Sequence, residues 1–299
     1  MPDSTVPLFL NPVAGRGRAG RHADDIARLF ESHGIAVSII KSSALGDLER
    51  QVFEFASECD DPFVVAGGDG SVHEAVNGLL RADGTNAFGL IPIGTGNDFA
   101  KACTIPLDWQ SAVGLLAGRM NDGVAPRSVD AGMMNDRYFA NGVGIGFDAK
   151  INRIARKYRW PIGDLIYLVA VLEGLWDGVI TPNVLMRFAD REYRGRITLA
   201  NVSNGAWVGG MFYIAPMAEN DDGQFDLVYA EPVSRPRILR LLPALIKGSH
   251  IDEPDVHVHG VDAFELIADE PIPCHLDGEV QPLQTEFRVS LLKGALNVL

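Results

Sequence analysis

The run Gly67-Gly68-Asp69-Gly70-Ser71 sits between an apolar tetrad, Phe63-Val64-Val65-Ala66, and a helical pattern that opens at Val72 and continues to Leu80. That order restricts the segment to a buried strand ending in a glycine turn that feeds a helix. Such a turn lets a polyanion approach bare backbone N–H groups, and the positive end of the helix favours negative charge at the same place. Asp69 inside the turn repels phosphates unless a cation lies between. The loop therefore reads as a magnesium-nucleotide cradle or a proton acceptor rather than a plain anion trap. A glycine-rich strand-to-helix turn with no phosphate role is the competing reading of this motif taken alone.

The same arrangement recurs. Leu8-Phe9-Leu10, Val37 to Ile40, Phe63 to Ala66 and Phe88 to Ile91 read as strands, with helical patterns near 21–32 and 45–57 between the early ones. Strands alternating with helices predict a parallel α/β sheet. Two more polar, glycine-bearing turns follow strand ends, Asn11-Pro12-Val13-Ala14-Gly15-Arg16-Gly17 and Pro92-Ile93-Gly94-Thr95-Gly96-Asn97-Asp98. Ligands of open α/β sheets bind outside the carboxyl ends of the strands, so these loops can converge on one ligand. Arg16, Arg18 and Arg21 are candidate phosphate partners, with solvated loop arginines as the alternative. The spacing is neither a Walker loop nor a dinucleotide fingerprint.

From about residue 129 the pattern changes to short strand candidates separated by turns: 138–140, 184–188, 196–201, 225–229, 264–267 and 287–291, with helical segments at 151–158, 163–176 and 235–247. A mostly β second domain follows. The 299 residues, 47% of them hydrophobic, are enough to fill two cores. A net charge of -13 argues against general attraction to nucleic acid and restricts any membrane contact to a local patch. Cys59, Cys103 and Cys274 form no paired motif and fit a reducing compartment. With no basic, apolar leader in view, the expected location is cytoplasmic. The apolar stretch 165–172 is too short to span a bilayer and reads as a core helix.

Asn11-Pro12 with Gly15, Gly67-Gly68-Asp69-Gly70-Ser71 with Glu74 and Asn77-Gly78, and the turn from Pro92 to Ala100 resemble the diacylglycerol kinase catalytic domain and related lipid kinases. Gly144-x-Gly146-Phe147-Asp148-Ala149, Ile214-Ala215-Pro216 running into Asp222-Gly223-x-Phe225-Asp226, and Leu276-Asp277-Gly278-Glu279 continue the likeness in the same order. The resemblance covers nearly the whole chain. It implies an N-terminal three-layer α/β nucleotide-binding domain (1–128), a C-terminal β-sandwich-like domain with inserted helices (129–294), and an active site in the cleft between them. Residues 295–299 are expected to return to the first domain.

The resemblance also implies roles. ATP would lie across Asn11, Pro12 and Gly15, across Gly67, Gly68, Asp69, Gly70, Ser71, Val72 and His73, and near Thr95, Asn97 and Asp98. Ser42, at the second strand's end, is a further candidate. Ser71 stands where threonine is common in the family. Asp69 and Asp98 are candidate partners of Mg2+, directly or through water, and Asp98 reads equally well as a helix N-cap. Asp277 and Glu279 are the candidate bases for the acceptor hydroxyl, Asp277 placed first, with Asp69 also open to that role. A structural magnesium loop would use the Asp222 carboxylate and the carbonyls of Glu219 and Gln224; a solvated turn is the alternative.

The lipid end is harder to read. Arg153, Arg156, Lys157, Arg159 and Trp160 form either a membrane-facing patch or, the preferred reading, a solvated basic face. Ile238, Leu241, Leu242, Leu245 and Ile246 follow helical spacing and read as core packing before a lipid gate. His73, His257, His259 and His275 have no metal-ligand spacing, and His275 adjoins the site. The expectation is an ATP-dependent lipid kinase, cytoplasmic or peripheral at the inner membrane surface, with diacylglycerol first among acceptors. A sphingoid base or another glycerolipid competes, NAD kinase is more distant, and a catalytically weak nucleotide- or lipid-binding regulator is the non-enzymatic alternative. A homodimer is a candidate assembly; nucleic acid is not a partner.

Overall fold

The computed structural model describes residues 5–158 and 165–299, so the expectation for Arg159 and Trp160 lies outside the described residues. The chain divides into two compact units, residues up to Asp130 together with Lys293–Leu299, and Ala131–Leu292. Each is built around its own core.

The first unit follows the alternation read from the sequence. Its elements are β1 (Val6–Leu10), α1 (Ala14–Ser32), β2 (Val37–Lys41), α2 (Asp47–Glu58), β3 (Phe63–Gly67), α3 (Asp69–Arg81), β4 (Ala87–Pro92), α4 (Asp98–Ala102) and α5 (Trp109–Asn121). The strands lie parallel in the order β2-β1-β3-β4. From β1 the chain crosses first to one side and then to the other, so a topological switch point falls between β1 and β3, where such sheets open a crevice beyond the strand ends. Leu8, Leu10, Val64, Ala66 and Ile91 pack on α1 and α5 through Ile26, Phe30, Val113 and Leu116. Phe9, Phe63 and Phe88 pack ring to ring with Phe55 and Phe99, at centroid separations of 5.6 to 6.3 Å.

The second unit begins within β5 (Arg127–Met134) and contains β6 (Arg137–Phe139), β7 (Gly142–Gly146), α6 (Phe147–Ala155), α7 (Leu165–Asp177), β8 (Asn183–Phe188), β9 (Arg191–Arg196), β10 (Leu199–Ser203), β11 (Phe225–Ala230), α8 (Arg235–Lys247), β12 (Val256–Val261), β13 (Ala263–Ile272), β14 (Cys274–Leu276), β15 (Glu279–Val280) and most of β16 (Gln284–Val298). One antiparallel layer runs β16-β13-β8-β9 and the other β12-β11-β10-β7-β14-β15. Their inner faces meet in a core that includes Phe139, Ile145, Met186, Val202, Leu227, Leu266 and Phe287, which makes the unit a β-sandwich. Helices α6, α7 and α8 build a second apolar cluster with Phe212, Leu199 and Ala230.

The structure differs from the sequence reading in places. The strand expected at 196–201 is two strands, broken at Ile197-Thr198, where the Thr198 hydroxyl donates to the Glu231 carbonyl at 2.9 Å and its carbonyl accepts from Phe147. β7 is hidden in the sequence by its three glycines, and α5, β5, β12, β14 and β15 appear only in the structure. The last residues of β16 pair in parallel with β4, Asn297 opposite Ala87 and Val298 opposite Phe88. No helix among the described residues is long and apolar enough to cross a membrane.

Candidate active site

The loops after β1, β3 and β4 lie side by side at one edge of the first unit because their strands are neighbours and parallel. The glycines have a steric purpose there. A Cβ at Gly68 would come within 2.8 Å of the Gly94 Cα, and one at Gly94 within 2.5 Å of the Gly68 Cα. At Gly15 it would meet the Ile93 carbonyl at 2.0 Å, and φ is +57°. Arg18 ties the first loop to the third, donating to the carbonyls of Gly94 at 3.0 Å and Gly15 at 3.3 Å. Of the other arginines considered for phosphate, Arg21 donates to the Arg16 carbonyl of the first loop at 3.4 Å.

Asp69, at the first position of α3, accepts from three consecutive amides, Asn97 at 2.8 Å, Asp98 at 2.6 Å and Phe99 at 3.4 Å. It is thus the cap of α4, supplied from another loop. Asn97 is left-handed (φ 53°) and closes its own turn, its carboxamide accepting from the Gly94 N–H at 2.9 Å. The reading of Asp98 as N-cap is corrected accordingly: Asp69 does the capping, and the Asp98 carboxylate pairs with Lys101 at 3.1 Å. Burial first, and the charge of Asp98 second, push the Asp69 carboxyl above the usual carboxylate range, against the three amide donors.

Ser71, Val72 and His73 are buried, so the side chains of Val72 and His73 lie in the core and the expected contact with ATP along this turn falls to backbone amides. The Ser71 hydroxyl is 2% exposed at the residue level and has no protein partner. Such an unspent donor, beside the open amides of a helix start, suits a phosphate oxygen or a metal-bound water. Asn11 spends its side chain on a local turn, accepting from Val13 N–H at 3.1 Å, and Thr95 is exposed at the loop tip. Ser42 is buried at the end of β2, beyond β1 from β3. Glu74 and Gly78 belong to the scaffold. Glu74 caps α2 through Leu48 N–H at 3.1 Å, and Gly78 lets α2 approach, since a Cβ there would meet the Glu49 carbonyl at 2.4 Å.

The second unit carries a matching carboxylate. Asp277, left-handed at φ 50°, also accepts from three consecutive amides: Ala140 at 3.0 Å, Asn141 at 2.7 Å and Gly142 at 3.0 Å. Three of its acceptor positions serve the strand start, so Asp277 holds the turn in place. Glu279 is the less committed acid, paired with Arg156 at 2.5 Å, while Arg156 also donates to the Gly278 carbonyl at 3.1 Å.

Beside this turn lies a polar row of which the sequence reading placed only His275. Asn201, Gly144 and His275 are register partners across β10, β7 and β14. The Asp148 carboxylate sits over Gly144, where a Cβ would meet it at 2.1 Å, and hydrogen-bonds His275 Nε2 at 3.1 Å. The Gly278 N–H donates to His275 Nδ1 at 3.3 Å, so the Nε2 proton points to Asp148. Buried acceptors on Asn141 and Asn152 have no protein partner. The available signal was the spacing Asn201-x-Ser203, polar residues with a strand's period of two inside a buried segment.

Asp148 also lines an apolar cavity of about 80 Å³ with Phe147, Leu199, Ile214, Leu242 and Leu245, and a second of about 80 Å³ shares those five residues under α8. The Asp222 loop is exposed. Asp222 accepts from the Gln224 N–H at 2.9 Å, and Glu219 and Gln224 are solvent-facing. No three His, Cys, Asp or Glu side chains cluster for a metal among the described residues. Its oxygen donors suit a hard cation, and the Asp222 charge, after burial, contributes to pushing Asp226 up to about 6, a repulsion that a cation would relieve.

A fold with an α/β unit bearing three converging glycine loops and a sandwich bearing an acidic turn defines a kinase scaffold, and comparison with known proteins agrees. Residues 5–125 match the diacylglycerol kinase catalytic domain, and residues 141–299 match the YegS C-terminal NAD kinase beta sandwich-like domain. The diacylglycerol kinase of Bacillus subtilis (strain 168) is 29% identical over 91% of this chain and 88% of its own length. That of Mycobacterium tuberculosis (strain CDC 1551 / Oshkosh) is 29% identical over 95% of this chain and 94% of its own. A solved diacylglycerol kinase structure from Bacillus anthracis str. Sterne covers 100% of this chain and 97% of its own, with TM-score 0.75 at 22% identity, a likeness of fold. The chain belongs to the diacylglycerol kinase catalytic-domain family, with a YegS-type C-terminal domain, and is a kinase.

Proposed function

We propose that the protein transfers the γ-phosphoryl group of magnesium ATP to the free hydroxyl of diacylglycerol, meeting its substrate at a membrane surface. The observation that carries this reading is the pair of apolar cavities in the second unit, one of them lined by Asp148, which hydrogen-bonds His275 of the neighbouring acidic turn. An acceptor with hydrocarbon chains and a hydroxyl matches that chemistry; the charged, sugar-bearing NAD does not. The cavities are smaller than an acyl chain, so entry requires α8 to yield.

In this reading the first unit holds the phosphates at the starts of α1 and α3, and a magnesium ion held beside Asp98 and the Ser71 hydroxyl would supply positive charge to offset the negative charge spread over the transferred group. Asp69 fixes the third loop against the second. Asp148, oriented by His275, accepts a hydrogen bond from the acceptor's polar head. The hydroxyl oxygen forms its bond to the γ-phosphorus as the bond to the β–γ bridging oxygen breaks, ADP leaves, and Glu279 takes the hydroxyl proton. Asp277 keeps that turn in place.

The test supplies γ-labelled ATP with magnesium to mixed micelles of diacylglycerol, monoacylglycerol, sphingosine or ceramide, with NAD in parallel. Label in phosphatidic acid is expected. Label only in the sphingosine tube would reassign the acceptor, and label only with NAD would overturn the lipid reading. ATP binding with no product on any acceptor would leave a regulator.

A further inference from the structure

Helix α8 has two working faces. Ile238 and Leu242, with half-buried Leu241 and Leu245, line the apolar cavity, while Leu239, Pro243 and Ile246 are exposed on the opposite side. Among these exposed positions stand Arg235, Arg240 and Lys247. The helix carries four cations and no acid, in a chain whose net charge is -13. Arg237 is paired with Glu253 and Asp255, whereas Arg235, Arg240 and Lys247 make no ion pair among the described residues.

The patch continues onto α7. A Cβ at Gly178, just past the end of α7, would lie 3.6 Å from the Arg235 guanidinium, and two residues earlier Trp176 is 86% exposed. Leu172, one turn further back, is 51% exposed. Such exposure of a tryptophan is unusual in a folded protein, and the lipid–water interface is where its amphipathic ring is best accommodated.

We infer that the outer face of α8, extended by Trp176, is the surface through which this protein docks on an anionic lipid bilayer. The inference rests on the lipid-kinase reading for its purpose, and on charge complementarity for its occupant. Unpaired cations beside exposed leucine and isoleucine match anionic headgroups above acyl chains. A second copy related by a two-fold axis through this face would set the same cations against each other. Nucleic acid would leave the apolar side chains uncovered. Docking here would place the inner face of α8, and the cavity beneath it, next to the source of the acyl chains.

Flotation of the full chain with phosphatidylcholine vesicles, with and without phosphatidylglycerol, tests this. The wild type should float with the anionic vesicles. Arg240→Gln combined with Lys247→Gln should weaken that partitioning about thirtyfold, at roughly a tenfold change per 1.4 kcal/mol and ~1 kcal/mol for each cation. Trp176→Ser should weaken flotation with both vesicle types. Both variants should phosphorylate a short-chain diacylglycerol, kept below its aggregation threshold, at the wild-type rate. Equal flotation of wild type and variants, or none by the wild type, overturns the proposal. So does a wild-type dimer that the substitutions dissociate while flotation persists. Flotation that behaves as expected with no phosphoryl transfer to any lipid would sink the catalytic reading and leave the docking surface standing.

Discussion

Asp69 and Asp277 are used in the same way in two different units: each collects three consecutive backbone amides and thereby fixes a loop that carries other functional groups. An asparagine in either place loses the charge and turns one acceptor into a donor facing an N–H. Asp69→Asn and Asp277→Asn should each lower stability by about 1.5–3 kcal/mol in denaturant unfolding, with phosphoryl transfer falling more than stability does. Glu279→Gln should behave differently, leaving the unfolding midpoint in place while kcat drops about a hundredfold or more. Asp226 supplies a pH signature. Burial first and Asp222 second lift its carboxyl from 3.8 to about 6, so the folded state binds the proton more tightly than the unfolded one. Its contribution is therefore most favourable at low pH, and stability declines as pH rises through that window. Asp226→Asn should flatten the decline and gain roughly 1–2 kcal/mol above it, allowing for solvent screening. If the Asp222 loop takes magnesium, the ion should flatten the same slope in the wild type but not in Asp222→Ala.

At the scale of elements, the contact between the β3 and β4 loops depends on two facing glycines. Gly68→Ala or Gly94→Ala forces a methyl into a gap already filled by backbone, and either should lower the melting temperature and weaken ATP binding measured by calorimetry. The parallel sheet was legible because its strands are continuous apolar runs bounded by glycine turns, the strongest pattern a sequence offers. The acceptor side was less legible for a physical reason. β7 reads Gly142-Val143-Gly144-Ile145-Gly146, and its glycines permit close approach rather than marking a loop: Gly144 makes room for Asp148 and His275, while Gly142 and Gly146 face the Val202 and Thr198 carbonyls. Likewise Asp69 lies far in sequence from the amides it caps, and no local pattern distinguishes a carboxylate that holds a loop from one that holds a metal. His275 could be placed near the site, but its partner Asp148 lies on another element and only the folded register brings them together.

At the scale of the molecule, the two units should respond to different ligands. Magnesium ATP should slow amide hydrogen exchange at 11–17, 67–72 and 93–99, and a diacylglycerol analogue should slow it in α8 and β10; protection by ATP confined to the second unit would contradict the assignment. β16 ties the units into one chain history. Its early residues pair with β13, but Asn297 and Val298 complete the sheet of the first unit, and Leu296 and Val298 are buried there. During synthesis the N-terminal unit therefore emerges from the ribosome first and waits, with the β4 edge uncovered, until the whole second unit and the end of β16 have been made. A chain that stalls or is clipped before Lys293 keeps that edge open, so truncated products should be prone to aggregation and marked early for proteolysis.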